Sequence, residues 1–388
     1  MTEYSNEFME TEIGFDAAPA RLTVDLSAIV SNWRTMRALS GTARTGAVVK
    51  ADGYGLGIED VGEALYEAGA ADFFVAVPEE GATLRRFAPD ARIFVLSGMW
   101  PGTEAMFFEN GLVPVLASEE QLAFFFAAIA DYGDYPCALQ VDTGFNRLGL
   151  SHDEALRLAA DDARPASFSP VLVLSHLACG DDAAAPMNRE QLARFRDVAN
   201  AFEGVEASLS ASAGILLGAD YHFELTRPGI ALYGGDSAPG ASKKLQPAAT
   251  AEARIIQTRF AKKGENVSYG ATQQLARDSR LAIVSAGYAD GYLRAKSGTG
   301  VPLRDAVPAG GMGFIAGHRV PILGRITMDM TIFDITDLPE SAVRAGDYVE
   351  LFGPNIALDD AAAAAGTIGY ELLTSLGLRY NRRYIQPD

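Results

Sequence analysis

The sequence predicts a protein of the α/β + β class, in which an N-terminal (β/α)₈ TIM-like barrel is followed by a mainly β C-terminal domain. Three observations predict this fold. The chain of 388 residues is too long for one ordinary hydrophobic core. Eight short apolar runs alternate with segments of helical periodicity over roughly 180–200 residues. Past Gly234, strand-like runs separated by Gly and Pro turns replace that alternation.

Changes in composition set the predicted domain boundaries. Residues 1–20 are an extension that we expect to be flexible. Residues 21–240 form the predicted barrel and residues 241–388 the β-rich domain, because a turn containing Pro, Gly and Ser at Asp236–Gly240 separates the two patterns. The strand at 21–26 is also compatible with packing on the C-terminal domain.

The barrel elements are predicted in chain order. Arg21–Leu26 is a predicted strand, and Ser27–Leu39 is a predicted helix with Ser27 as its N-cap. The eight apolar runs end near Lys50, Val77, Leu96, Leu116, Val141, Ser175, Ser210 and Arg227. Helical periodicity is found at Ile58–Ala68, Glu79–Phe87, Glu119–Ala130, Asp153–Ala160 and Arg189–Phe202. For the eighth strand, Tyr221–Arg227 is preferred to Gly229–Tyr233.

The second half of the chain has the pattern of a β-rich domain that ends in helices. Strands are predicted at Thr250–Phe260, Leu281–Ala286, Gly313–Ala316, Thr331–Ile335 and Tyr348–Phe352. Two helices are predicted near the end, at Leu358–Ala365 and Ile368–Leu376.

Composition excludes several classes of protein. Hydrophobic residues make up 48% and charged residues 21% of the chain, which is typical of an ordered globular protein. The formal charge of −18 argues against a nucleic-acid binder. The first residues lack the pattern of a secretory signal, and no apolar run is long enough to span a bilayer. Two cysteines, Cys137 and Cys179, exclude a disulfide framework and a four-cysteine zinc site. We expect a cytoplasmic protein without a metal.

The chemistry of a barrel lies at the carboxyl ends of its strands. There the apolar residues Ala47–Val49 lead into Lys50, and glycine-rich chain follows. A lysine in a partly desolvated pocket can form a Schiff base with a carbonyl, although a strand-end lysine that extends to solvent fits equally well. The same rule selects Asp142, His176, Ser212 and Arg227. Small polar residues after the seventh and eighth strands indicate a phosphorylated cofactor or substrate.

Motifs along nearly the whole chain resemble those of the alanine racemase family. They begin with Val48-Val49-Lys50-Ala51-Asp52-Gly53-Tyr54-Gly55 and occur in the same order as in that family. The others are Val141–Gly149, Ser175–Ala178, Arg227–Gly234, Ser268–Thr272, Gly287–Gly291, Gly324–Asp329 and Gly369–Glu371. One such motif is weak, but a full set in order across both predicted domains is specific.

The resemblance implies that pyridoxal 5'-phosphate is bound to Lys50 as an internal aldimine. Arg227 then faces the pyridine nitrogen, where its permanent charge disfavours a protonated ring and limits the cofactor to proton exchange. The implied phosphate ligands are the hydroxyls of Tyr54, Ser212 and Tyr370 and the backbone amides of Gly229 and Ile230. The eighth strand is therefore predicted to end at Arg227, which leaves those amides on the upper rim of the barrel.

Racemisation needs proton transfer on both faces of the α-carbon, and two bases suit it better than one. By resemblance, Lys50 serves D-alanine and Tyr269 serves L-alanine. A tyrosine with a reference pKa near ~10 needs help to act as a base. The resemblance supplies that help through His176, placed between Tyr269 and Arg227. Taken by itself in the sequence, His176 is better explained as a buried structural histidine.

The resemblance also implies a homodimer with shared active sites. Tyr269, Met328 and Asp329 reach the site of the partner subunit, and Tyr288 lines the substrate entrance. Arg147 contacts the cofactor ring oxygen and the substrate carboxylate, a role that the chemistry of an amino-acid substrate also favours.

Three positions depart from the family pattern. Gln140 stands where many members have a carbamylated lysine that orients the arginine matching Arg147, and an amide brings no charge. Ala211 replaces an asparagine ahead of the phosphate serine, and Leu56 replaces a histidine.

The sequence thus predicts an enzyme that interconverts L-alanine and D-alanine and supplies D-alanine for peptidoglycan. A racemase of broader specificity, for instance for serine, remains an alternative. A decarboxylase of the same architecture and a non-catalytic protein that carries the cofactor are weaker alternatives.

Overall fold

The computed structural model describes residues 13–387, which divide into two compact units. The barrel unit comprises 25–249, 368–374 and the described residues after 383, and the sheet unit comprises the described residues before 25, 250–367 and 375–383. Of the predicted extension, residues 1–12 lie outside the described residues. Phe15–Ala17 form a 3₁₀ turn, and the Tyr348 hydroxyl donates to the Ala18 carbonyl at 2.6 Å.

The first strand, β1 (Ala20–Asp25), leads into the barrel unit, whose strands are short. They are β2 (Arg44–Thr45), β3 (Ala47–Val48), β4 (Asp72–Val75), β5 (Arg92–Val95), β6 (Leu112–Leu116), β7 (Tyr135–Asp142), β8 (Leu150–Ser151), β9 (Phe168–Leu174), β10 (Glu206–Ser208) and β11 (Leu225–Thr226). The helices are α1 (Leu26–Leu39), α2 (Ile58–Glu67), α3 (Pro78–Arg85), α4 (Glu104–Asn110), α5 (Glu119–Tyr132), α6 (His152–Ala160), α7 (Pro186–Ala201) and α8 (Ser212–Leu216).

The parallel strands close into a barrel. Seven of them are hydrogen-bonded in the order β10-β9-β7-β6-β5-β4-β3, and β11 pairs in parallel with β2. Backbone hydrogen bonds from Arg227 N to Ser210 O and from Val48 N to Pro228 O join β11 to its neighbours on both sides. The predicted alternation of strands and helices, and the barrel it implies, are confirmed.

The eighth strand lies where it was predicted. β11 falls within Tyr221–Arg227, whereas Ile230–Tyr233, inside the rejected stretch, is a 3₁₀ turn. Strand β4, which corresponds to the second predicted run, ends at Val75 rather than near Val77. The reason is that Ala76 N donates to the Glu80 carboxylate at the start of α3.

The predicted N-cap of the first helix is wrong. Asp25 caps α1, since its Oδ1 accepts from Ala28 N at 2.9 Å. Ser27 instead donates its hydroxyl to the same Asp25 oxygen at 2.6 Å. A carboxylate is the stronger acceptor for an N-terminal amide, which explains why the cap lies two residues earlier.

The sheet unit is mainly β, as predicted. Its further strands are β12 (Ala249–Ala261), β13 (Asn266–Val267), β14 (Gln273–Gln274), β15 (Ser279–Val284), β16 (Met312–Ile315), β17 (His318–Pro321), β18 (Thr331–Asp334), β19 (Tyr348–Phe352) and β20 (Asn381–Ile385). Short helices are α9 (Leu303–Ala306) and α10 (Leu358–Ala363), and α11 (Gly369–Thr374) returns to the barrel unit.

The main sheet of this unit has the order β17-β16-β19-β12-β1-β20, and β15 joins β12 to β18. The five strands predicted in this unit are present, whereas β13, β14, β17 and β20 were not predicted. No helix among the described residues is both long enough and apolar enough to cross a membrane.

Candidate active site

Lys50 stands just past the first barrel strand, and a left-handed turn follows it. The φ angles of Ala51, Asp52, Gly53 and Tyr54 are 54°, 55°, 60° and 56°. Left-handed backbone costs a non-glycine residue roughly 1–2 kcal/mol, so the surrounding contacts must hold it. Glu80 Oε1 accepts from Ala51 N at 2.6 Å, and Asp52 Oδ1 accepts from Ile58 N at 2.8 Å.

A cavity of about 980 Å³ opens at the carboxyl ends of the barrel strands. It contains every predicted site residue that belongs to the barrel unit. Those lining residues are Lys50, Tyr54, Arg147, His176, Ser212, Arg227, Gly229, Ile230 and Tyr370. The three positions that depart from the family pattern lie in different places. Gln140 and Ala211 line the cavity, whereas Leu56 is fully buried and does not line it.

Burial and neighbouring cations lower the pKa values of the amine and the imidazole of the site. The pKa of Lys50 is lowered, first by burial and then by Arg147, although Glu80 acts in the opposite direction. Burial, followed by Arg227 and Arg147, lowers the pKa of His176 to about 3. At neutral pH the His176 imidazole is therefore uncharged, and a larger fraction of the Lys50 amine is free than in an exposed lysine.

Arg227 is a buried cation fixed by strand ends. Its Nη1 donates to the Ser208 carbonyl at 2.8 Å and to the Ser208 hydroxyl, and its Nη2 donates to the Ser175 carbonyl at 2.7 Å. Burial lowers its pKa to about 10, so the guanidinium keeps its charge at neutral pH. Among the described residues no hydrogen bond joins it to the His176 ring.

Ser212 fixes the turn after β11 and occupies the Gly229 amide, which was itself predicted to bind the phosphate. Ser212 Oγ accepts from Gly229 N at 2.8 Å and from Ala231 N at 3.4 Å. A hydroxyl has two acceptor positions and one donor, so the Ser212 proton stays available to the cavity. The Tyr54 ring stacks on Tyr233 with centroids 4.5 Å apart.

The Tyr54 hydroxyl is a second donor in this cavity. Burial raises the pKa of Tyr54, which keeps its hydroxyl protonated. A Cβ at Gly229 would stand 2.3 Å from that hydroxyl, so only glycine allows the close approach. The hydroxyls of Ser212 and Tyr54 suit an anion such as a phosphate.

The remaining predicted residues belong to the sheet unit and share one surface of it. Tyr288 N donates to Thr327 O and Ala289 N donates to Met328 O, both at 3.0 Å. Asp329 pairs with Arg379 at 2.7 Å. Tyr269 is 72% exposed, and the hydroxyl of Ser268, the residue before it, donates to the Arg325 carbonyl at 2.7 Å. The segment 325–329 thus connects these side chains.

Sequence reasoning missed the residues that support the site. Ser175 and Ser208 hold Arg227, and Glu80 holds the turn after Lys50. The strand-end rule could have drawn attention to Ser208, because it ends β10, and to Glu80, because it lies in the first turn of α3. Phe145, whose ring contacts both Arg147 and His176, lies in the motif Val141–Gly149, but that motif gave it no role.

The barrel, the desolvated lysine at a strand end and the two hydroxyl donors define a class: a barrel enzyme that holds a phosphorylated ligand beside a reactive amine. Comparison with known proteins narrows that class. The pattern of the alanine racemase N-terminal domain matches residues 24–237, and that of the C-terminal domain matches residues 248–384.

Individual relatives agree with these matches. The chain is 63% identical over 387 residues to a protein of Agrobacterium fabrum named "Alanine racemase, biosynthetic", covering 100% of this chain and 99% of the relative. It is 62% identical to an alanine racemase of Rhizobium meliloti, covering 96% and 98%. The crystal structure of alanine racemase from Bartonella henselae with covalently bound pyridoxal phosphate aligns with a TM-score of 0.87 at 38% identity, covering 95% of this chain and 100% of that one. The chain belongs to the alanine racemase family.

Proposed function

We propose that this protein is an alanine racemase, which uses pyridoxal 5'-phosphate to interconvert L-alanine and D-alanine. One observation carries the proposal: the same cavity is lined by the desolvated Lys50 amine and by the hydroxyl donors of Ser212 and Tyr54. The name "biosynthetic" of the Agrobacterium relative supports a role in providing D-alanine for peptidoglycan. Both cysteines are free, which favours a reducing compartment such as the cytoplasm.

The residues present fit this cofactor. An aldehyde needs a nucleophilic amine, and Lys50 provides one. A phosphate needs hydrogen-bond donors, and the hydroxyls of Tyr54 and Ser212 provide them. Ser237, whose buried hydroxyl has no hydrogen-bond partner among the described residues, lines the same cavity. When bound, pyridoxal phosphate supplies an electron sink that makes the α-proton of an amino acid removable.

The chain's own groups then move the proton. Lys50 Nζ, with its lowered pKa, accepts or returns the proton on the face of D-alanine. The Tyr269 hydroxyl serves the opposite face, for L-alanine. The charged guanidinium of Arg227 would face the ring nitrogen of the bound cofactor and would disfavour its protonation. Arg147 holds the substrate carboxylate with its planar fork.

We propose that the working form is a homodimer, in which Tyr269, Tyr288, Met328 and Asp329 of one subunit complete the site of the other. Their shared surface carries exposed large side chains: Tyr269 is 72% exposed and Met328 is 54% exposed. Exposed residues of this kind, rimmed by the Asp329–Arg379 ion pair, suit a surface that becomes covered on association.

Chiral analysis of the products tests the function. The protein loaded with pyridoxal phosphate is incubated with L-alanine, and separately with L-serine and other L-amino acids, and the enantiomers are separated by chromatography. We expect D-alanine to form fastest and to approach an equal mixture, and Lys50→Ala to abolish the reaction. If serine is racemised faster than alanine, serine is the preferred substrate and the proposed substrate is wrong. A wild-type protein that racemises none of these amino acids would overturn the proposal.

A further inference from the structure

The guanidinium of Arg147 lies on an aromatic ring rather than against an acid. Its Cζ is 4.2 Å from the centroid of Phe145, and within the described part of the chain no hydrogen bond or ion pair involves Arg147. Gln140, which lines the same cavity, brings no charge, and its amide donates to Val141 O at a long 3.5 Å. Asp142 uses its Oδ1 to accept from Gly144 N at 2.7 Å.

The backbone of the loop after β7 brings Phe145 and Arg147 together. Phe145 and Arg147 are separated by Asn146, whose φ of 55° is left-handed, a conformation that asparagine tolerates better than most residues. The base of the loop is anchored, because Thr143 Oγ1 and Ser175 Oγ are 2.9 Å apart and Arg194 Nη1 donates to Thr143 O at 3.1 Å.

The ring of Phe145 is itself supported by a neighbouring ring. The His176 ring contacts it at a centroid distance of 5.6 Å and an interplanar angle of 58°. His176 is uncharged at neutral pH, so it does not compete for the electron-rich face of the ring. Phe145 therefore offers one face to a cation and is supported by a neutral neighbour.

We propose that Phe145 is a positioning residue that orients Arg147 for the carboxylate of the substrate through a cation–π contact. This rests on the proposed function, in which Arg147 binds that carboxylate. The contact has a chemical advantage over an acidic partner. A ring face attracts the guanidinium without occupying its N–H donors, so the whole fork stays available for bidentate binding. A carboxylate neighbour would occupy those donors and offset the charge.

Phe145→Leu removes the ring face and keeps an apolar side chain. We expect the KM for L-alanine and D-alanine to rise about fivefold, as loss of a partly exposed cation–π contact implies. The kcat should change less than twofold. Propionate, a carboxylate without an amine, should bind the loaded protein about fivefold more weakly by calorimetry.

Two further variants separate positioning from a structural role. Phe145→Trp keeps a ring face and should restore the wild-type KM. Phe126→Leu is the matched control, because Phe126 packs edge-on against Phe168 at 5.1 Å and does not line the cavity. It should leave the KM and propionate binding unchanged.

Propionate binding requires no turnover, so the two proposals can fail separately. A wild-type protein that does not racemise alanine, yet binds propionate in a way that depends on a ring at 145, overturns the function alone. An unchanged KM and propionate affinity in Phe145→Leu, no rescue by Trp, or no propionate binding to the wild type overturns the role of Phe145.

Discussion

Ser212 shows how one side chain can organise a ligand site. Its oxygen accepts two backbone amides, from Gly229 and Ala231, which leaves the hydroxyl proton as a donor. Because the oxygen also fixes the turn after β11, removing it affects the turn as well as the ligand. The two effects differ in one respect: only the donated hydrogen bond depends on a phosphate.

Ser212→Ala should therefore weaken the binding of pyridoxal phosphate about 10- to 100-fold, the range for a hydrogen bond to a charged group. Pyridoxal, which has no phosphate, should bind the variant and the wild type alike. Both dissociation constants are measured on protein stripped of cofactor, by titration of absorbance. An equal loss for the two ligands would mean that the variant distorts the turn and that Ser212 does not hold the phosphate.

The strand-end rule found those candidate residues whose position the barrel itself determines. Lys50, His176, Ser212 and Arg227 follow parallel strands, and the carboxyl ends of parallel strands meet at one edge. Arg147 lies on a loop without periodicity, so only the family resemblance indicated it. The supports at Glu80 and Ser208 depend on which side chain reaches which backbone group, and such contacts exist only after folding.

At the scale of elements, the two ends of the barrel carry different kinds of residues. Four barrel strands begin with a charged residue, namely Arg44, Asp72, Arg92 and Glu206. Both guanidinium nitrogens Nη1 and Nη2 of Arg44 donate to the Glu206 carboxylate at 2.7 Å. Arg92 Nε donates to Asp72 at 2.6 Å and its Nη2 donates to Glu206 at 2.9 Å. This network lies opposite the cavity, where charged groups serve stability rather than chemistry.

Glu206 makes that stability depend on pH. Hydrogen bonds from Arg44, and then from Arg92, lower the pKa of Glu206 from 4.5 to about 2. A carboxyl whose pKa is lower in the folded state stabilises the protein above its ordinary pKa and loses that contribution as the pH falls toward the folded value. Glu206→Gln should thus reduce the free energy of unfolding most at pH 7, and the difference from wild type should shrink between pH 4.5 and 3.5. Urea unfolding at several pH values measures it.

Glu203→Gln is the control for this experiment. Glu203 is an exposed residue of the loop just before β10, and the described residues include no ion pair with it. Its substitution makes the same change in net charge without touching the network. If both variants lose the same stability at every pH, the effect comes from net charge and the network contributes nothing specific.

The elements were predicted to different degrees for physical reasons. The long amphipathic helix α5 and the buried strand β12 follow from periodicity, which burial on one face imposes. The strands β17 and β20 were not predicted because they carry charged residues at alternate or adjacent positions and form in the sheet only through their partners. The α1 cap was misplaced by two residues because Asp25 and Ser27 both have cap chemistry, and the fold decides between them.

At the scale of the whole molecule, the proposed reaction depends on residues from both units. Lys50 belongs to the barrel unit, whereas Tyr269 belongs to the sheet unit. In the proposed dimer each site takes Lys50 from one subunit and Tyr269 from the other. A symmetric dimer then has two identical sites. A subunit that lacks Lys50 impairs one of them, and a subunit that lacks Tyr269 impairs the site that contains the other subunit's Lys50.

Mixing two inactive variants tests this arrangement. Lys50→Ala and Tyr269→Phe should each be inactive alone, since every site of either homodimer lacks one base. After unfolding and refolding together in equal amounts, half of the dimers contain one subunit of each kind, and one of the two sites in such a dimer has both bases. The mixture should recover about a quarter of wild-type racemase activity. Each variant refolded by itself is the control, and a mixture no more active than these controls would mean that Lys50 and Tyr269 do not act across the subunit interface.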